Sequence, residues 1–233
     1  MRLLVLALIP SACLPLYSPD VTLHAVKYRL VIFDSDGTLA DTLPWMRSIF
    51  NELADEHGFR RVEPHEERRF RNLEGRALLR ELGLPLWKLP RVVAAMRKRM
   101  TAYNGALRPF PGVPAMLERL AAASIQMAVV SSNSAANVQR ILGLENAELI
   151  GHYLCGASMF GKPAKLRRAL RITSVPAERS IYVGDEIRDA QAAHAVGMPF
   201  GAVTWGQHDE QALRSHGPAE FFRSVEDIVL KLC

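Results

Sequence analysis

From Pro114 onward, short apolar runs and helix-period segments take turns along the chain. Helical spacing covers Pro114–Ala123, Ala135–Leu142 (closed by Gly143), Lys162–Ile172, Glu186–Val196 and Val225–Leu232. Between them, Gln126–Ser131, Ser180–Val183 and Pro199–Val203 are short and rich in apolar residues, as buried strands are. An earlier run, Tyr28–Asp34, has the same character and ends in acid and turn residues. Strands separated by helices predict a parallel sheet covered on both faces, because each crossover helix must pack back onto the sheet.

The alternation is interrupted directly after the first strand. From Thr42 to Tyr103 apolar residues recur at three- and four-residue spacing, as in Trp45, Ile49, Leu53 and in Leu89, Val93, Met96, Met100. Pro64, Gly75, Gly83, Pro85 and Pro90 cut this stretch into several short helices without strands. The proline-rich junction Arg108-Pro109-Phe110-Pro111-Gly112 marks its end. The expected organisation is an α/β core of residues 27–41 and 109–233 carrying an inserted all-helical cap of residues 42–108.

Charge narrows the class of partner. The chain of 233 residues carries a formal +5, but residues 42–108 hold 14 Lys/Arg against 8 Asp/Glu, and the remainder sums to −1. The excess reads as a solvated helical face of the cap, with steering of an anionic substrate next, and no nucleic-acid partner is expected. Cys13, Cys155 and Cys233 are odd in number and far apart, so no disulfide framework is implied, and a reducing, cytoplasmic setting is expected. No CxxC or HExxH offers zinc a site. Residues 1–26 read as an extension: Leu3–Ile9 is apolar, but it is short and Pro10 and Pro15 break the stretch around it. It faintly resembles a secretory or lipoprotein signal, the one route by which a membrane would enter.

In open α/β sheets ligands bind at the carboxyl ends of the strands, and four polar clusters fall there. Asp34-Ser35-Asp36-Gly37-Thr38 leaves the first strand with two carboxylates at i and i+2. Acids this close need a cation between them or a shared proton, which suits a nucleophile beside a general acid/base or a hard metal site. Ser131-Ser132-Asn133 ends the second strand before a helix, where hydroxyls and amides serve either an anion or an N-cap. Lys162, in Gly161-Lys162-Pro163, opens a helix and can neutralise phosphate or hold a carboxylate. Gly156–Lys162 also fits G-x-x-x-x-G-K, but Pro163 stands where that loop needs a hydroxyl. Gly184-Asp185-Glu186-Ile187-Arg188-Asp189 puts Asp185 at a strand tip and Asp189 one helical turn beyond it.

Taken together, the four clusters resemble the haloacid dehalogenase superfamily of phosphohydrolases. The signature F-D-x-D-G-T matches Phe33–Thr38, a Ser/Thr after the next strand matches Ser131, a Lys before a helix matches Lys162, and G-D-x-x-x-D matches Gly184–Asp189. Within it the similarity is to phosphoglycolate phosphatase-like and beta-phosphoglucomutase-like enzymes, carried largely by Tyr182–Gly197. The resemblance implies a Rossmann-like sheet with a helical cap, and hydrolysis of a small phosphorylated metabolite. It implies Asp34 as nucleophile, forming an aspartyl-phosphate, and Asp36 as general acid, then base. It implies Mg2+ held by Asp34, the backbone carbonyl of Asp36, and Asp185, with Asp189 in support, and phosphoryl contacts from Ser131, Ser132 and Lys162. It also implies a substrate-selecting cap loop, for which Leu73-Glu74-Gly75-Arg76 is the candidate through Gly75 and Arg76.

Asp36 argues for phosphate chemistry, because dehalogenating members lack that second acid. Thr38 favours hydrolases over mutases, which often carry Val there. A phosphomutase, and from another class a noncatalytic anion- or nucleic-acid-binding module, stay open at this point.

Overall fold

The computed structural model describes residues 27–73, 75–103, 105, 107–156 and 161–233. The N-terminal extension, Glu74 of the cap loop and most of the Gly156–Lys162 stretch therefore lie outside the described residues.

Six strands form one parallel sheet: β1 (Leu30–Phe33), β2 (Gln126–Val130), β3 (His152–Leu154), β4 (Ser180–Gly184), β5 (Phe200–Val203) and β6 (Glu220–Phe222), in the order β3-β2-β1-β4-β5-β6. The order reverses between β1 and β4, where loops leaving in opposite directions open a crevice. Register aligns the tips there: Phe33 pairs with Val129 on one side and Val183 on the other. Asp34, Ser131 and Asp185, each just past the end of its strand, thus arrive at one rim.

Alternation of side chains across each strand builds two cores. Val31, Phe33, Met127, Val129, Ile181 and Val183 face one side. There they meet helices α5 (Val113–Ala122), α6 (Ala135–Leu142) and α11 (Val225–Leu232). Leu30, Ile32, Ala128, Val130 and Tyr182 face the other. That face meets α8 (Lys162–Thr173), α9 (Ile187–His194) and α10 (Glu210–Arg214); α7 (Leu144–Glu148) precedes β3. Burial on both faces explains why the central strands are nearly all apolar.

Between β1 and α5 the chain forms α1 (Leu43–His57), a 3-10 turn at Pro64–Glu66, α2 (Glu67–Arg71), α3 (Gly75–Glu81) and α4 (Leu89–Ala102). These helices form the inserted all-helical cap and have their own small core of Phe70, Leu79, Leu82, Leu84, Leu89 and Val92. A second cluster, Ala40, Trp45, Met100 and Ile141, joins cap to sheet domain. The two connecting segments run side by side: Asp41 N–H donates to the Arg108 carbonyl (3.0 Å) and Phe110 N–H to that of Leu39 (2.9 Å). Gly75 is the first residue of α3, so Gly75 and Arg76 of the expected cap loop belong to a helix.

Candidate active site

The acids gather because β1 and β4 are neighbours and α9 folds back over the β4 tip. Asp34, Asp185 and Asp189 are buried, and they can place one carboxylate oxygen each within 4.8 Å of one another. Lys162, at the first turn of α8, enters from the opposite side. Its ammonium donates to Asp34 Oδ2 at 2.7 Å and to Asp189 Oδ1. Asp189 also accepts from the Tyr182 hydroxyl (3.1 Å) and from the Glu186 backbone N–H (3.1 Å), the latter as half of a capping box on α9.

Asp185 is fixed from two sides. The Thr38 hydroxyl donates to its Oδ1 at 2.8 Å and the Gln207 backbone N–H to its Oδ2 at 2.7 Å. Asp36 is oriented separately: it accepts from the Thr42 hydroxyl (2.9 Å) and from the Asn133 side-chain amide (3.2 Å). Its carboxylate is therefore not part of the three-acid group. Ser131 is buried, with its hydroxyl oxygen accepting from Asn133 N–H at 3.0 Å. Ser132 is half-buried beside it, and its carbonyl is taken by Arg97 of α4. Lys165 braces the same loop by donating to the carbonyls of Ser131 (2.7 Å) and Gly156 (2.8 Å).

Backbone without side chains makes this density possible. Gly37 sits at φ +79°, and a Cβ there would lie 2.2 Å from Asp185 Oδ2. A Cβ on Gly184 would lie 2.4 Å from Asp189 Oδ2. The glycines of both acidic motifs thus serve the close approach of the carboxylates rather than chain flexibility alone.

Electrostatics follow from the crowding. Burial, against the opposing pull of Lys162, pushes the Asp34 carboxyl up to about 7. Burial, together with Glu186, Asp34 and Asp189, holds Asp185 well above the usual carboxylate range. Asp36 is also raised by burial, with the Thr42 and Asn133 hydrogen bonds opposing. Lys162 stays charged: burial would lower it, but Asp189 and Asp34 more than reverse that. Glu186 is ionised against Arg188, which stacks a second ion pair (2.6 Å) beside the cluster.

A divalent cation fits this arrangement. Three buried carboxylates share one space with too little positive charge to keep all ionised, and every available donor is a hard oxygen. Neither cap loop residue, Gly75 or Arg76, makes a hydrogen bond or ion pair with this cluster among the described residues. Arg76 is exposed on α3 and lines a cap groove with Leu79, Arg80 and Leu84. The cap arginines that reach the core are Arg97 and Arg71, neither singled out by sequence reasoning. Thr42, Tyr182, Lys165 and Gln207 were likewise not anticipated; Tyr182 at least lies inside the run that carried the family likeness.

The pattern defining the haloacid dehalogenase-like hydrolases matches residues 31–203, and the chain belongs to that family. Its chemistry is that of a phosphatase, of the phosphoglycolate phosphatase-like kind. Among its relatives, the phosphoglycolate phosphatase of Synechococcus elongatus is 30% identical over 86% of this chain and 95% of its own length. That of Xanthomonas campestris pv. campestris is 32% identical over 76% and 84%. In fold, the chain is similar to a haloacid dehalogenase-like family hydrolase from Streptococcus pneumoniae, with TM-score 0.71, 20% identity, and coverage of 88% and 98%. Among the described residues, no helix is long and apolar enough to cross a membrane.

Proposed function

We propose that the protein is a Mg2+-dependent phosphomonoesterase acting through an aspartyl-phosphate on a small phosphorylated metabolite, with 2-phosphoglycolate as the first substrate to test. The observation that carries this is the pairing of two unlike acids at one strand tip: Asp34 held by Lys162 inside the three-acid group, and Asp36 outside it with raised proton affinity. The relatives' names direct the choice of substrate.

In this reading an Asp34 carboxylate oxygen attacks phosphorus as the bond to the leaving oxygen breaks. The Asp36 carboxyl gives its proton to that oxygen. Asp36, now ionised, takes a proton from water as the water oxygen attacks phosphorus and the bond from phosphorus to the Asp34 oxygen breaks, releasing phosphate, freeing the Asp34 carboxylate and leaving Asp36 protonated again. The Ser131 hydroxyl, Ser132 and Lys162 hold the phosphoryl oxygens. Asp34, the Asp36 carbonyl, Asp185 and Asp189 would hold the metal, which when bound neutralises phosphoryl charge and keeps the displacement in line. In the same proposal the enzyme works in the reducing cytoplasm, a reading supported by three scattered cysteines that imply no disulfide framework.

Phosphate release from a metabolite panel that includes 2-phosphoglycolate tests it. Turnover should need Mg2+, vanish in EDTA, and show a much steeper metal requirement in Asp185→Ala. Full activity in chelator overturns the metal assignment. Isomerisation of a sugar phosphate without phosphate release overturns hydrolysis.

A further inference from the structure

The segment 205–209, just after β5, meets Asp185 through Gly206, Gln207 and His208. Gln207 N–H donates to Asp185 Oδ2 (2.7 Å), and His208 N–H donates to the Asp185 carbonyl (3.1 Å). The Trp205 indole N–H donates to the carbonyl of Thr38 (3.1 Å), whose hydroxyl holds the other Asp185 oxygen at 2.8 Å. Gly206 lies so close that a Cβ there would stand 2.1 Å from the Asp185 Cβ. The observed Asp185 pose is thus held by this segment at Oδ2 and at the main chain, and by Thr38 at Oδ1.

The cap holds that same segment. The Arg71 guanidinium, at the end of α2, donates through Nε to the carbonyl of Gln207 and through Nη2 to that of Gly206. Gln207 Nε2 returns a bond to the Arg71 carbonyl at 3.4 Å. Next along, Asn72 Nδ2 donates to Asp209 Oδ2 (2.7 Å), and Asp209 N–H donates back to Asn72 Oδ1 (3.3 Å). A planar fork on two successive carbonyls is a geometry that lysine cannot reproduce. The peptide whose carbonyl Arg71 grips at Gly206 is the one whose N–H, on Gln207, reaches Asp185.

We infer that Arg71 is a positioning residue for Asp185: by gripping the 206–207 peptide from the cap, it couples cap closure to the orientation of a proposed metal-binding carboxylate. This rests on the reading of Asp185 as a metal ligand. An enzyme built this way assembles its metal site fully only when the cap is down, so the two parts of the molecule act as one site.

Arg71→Ala, Arg71→Lys and, as control, the exposed groove residue Arg80→Ala would be compared by three measurements on the full chain: amide exchange at Gln207, Mg2+ binding by calorimetry, and thermal melting. Loss of a group orienting a metal-binding side chain costs on the order of tenfold in affinity. Arg71→Ala should therefore bind Mg2+ about tenfold more weakly and exchange the Gln207 amide about tenfold faster, with an unchanged metal-free melting temperature. Arg71→Lys should fall nearer the alanine variant than wild type, and Arg80→Ala should match wild type. If Arg71→Ala lowers the melting temperature, Asn72→Ala removes the neighbouring limb and should shift both readouts in the same direction. Unchanged exchange at Gln207 overturns the clamp. Faster exchange with unchanged Mg2+ affinity overturns the coupling. Wild-type protein that takes up no Mg2+ overturns the metal reading and the coupling with it, while exchange at Gln207 still judges the clamp alone.

Discussion

As the proposed nucleophile, Asp34 carries a conflict: it must be ionised to attack, yet its burial favours the proton. Asp34→Asn keeps the shape and the Lys162 contact while removing one buried charge. Turnover should be lost, and the metal-free protein should melt no lower than wild type at neutral pH. Activity within about tenfold of wild type would end the nucleophile assignment, because removing a covalent catalyst costs far more than that. The same carboxyl gives a pH signature. Its folded value of about 7 lies above that of an unfolded aspartate, so the native state binds the extra proton between roughly pH 4 and 7. Stability of the metal-free protein should therefore fall as pH rises through that window, with Asp185 adding to the slope. His208, buried and lowered, works in the opposite direction by favouring the neutral ring. Subtracting the melting curve of Asp34→Asn from that of wild type between pH 5 and 8 removes the His208 part, common to both, and leaves that of Asp34 with its pull on Asp185. A difference that does not change with pH would contradict it.

Elements deliver these groups, and the β4–α9 turn shows how. Gly184 ends β4 against the Asp189 side chain, which is itself pinned by the α9 capping box and by Tyr182. Gly184→Ala would drive a methyl into that carboxylate, moving Asp189 and with it Lys162. Overpacking of this kind costs about 1–3 kcal/mol of stability, and activity should fall much further than melting temperature does. An active, destabilised variant would mean that Asp189 tolerates displacement. This turn was legible in the sequence because Gly-Asp-x-x-x-Asp packs its chemistry into six adjacent residues. The central strands were legible too, since burial on both faces leaves an unbroken apolar run. The edge strands β3 and β6 were not: each has three residues, and two of the three are only half-buried. Thr42 and Gln207 were hidden for a different reason, and Asn133 was legible as a polar residue at a strand tip but not as a partner of Asp36. Each acts by hydrogen bonding to an acid of the proposed site, and Asn133 reaches both oxygens of an Asp36 that is 97 residues away. Arg71 was one of 14 basic residues in the helical segment, and only the fold distinguishes the one that meets a backbone carbonyl across 136 positions.

At the scale of the whole molecule, we propose that the cap selects what enters the crevice. Its arginines differ in what they meet: Arg60, Arg61, Arg69 and Arg99 pair with acids of the cap itself. Arg71 and Arg97 are committed to carbonyls of the core, at the 206–207 segment and at Ser132. Arg76 has no hydrogen bond or ion pair among the described residues, and its guanidinium is exposed at the start of α3. We therefore keep Arg76 as the proposed reader of a second anion on the substrate, the role its planar fork suits. Arg76→Ala should raise KM for 2-phosphoglycolate by about tenfold or more, the consequence of losing a charge-assisted hydrogen bond of roughly 1.5–3 kcal/mol. Hydrolysis of p-nitrophenyl phosphate, whose leaving group offers no second anion, should hardly change. The contrast between the two esters is what makes the result specific. Equal loss on both would assign Arg76 to cap closure or folding, and no loss on either would return it to the solvated face from which it was picked.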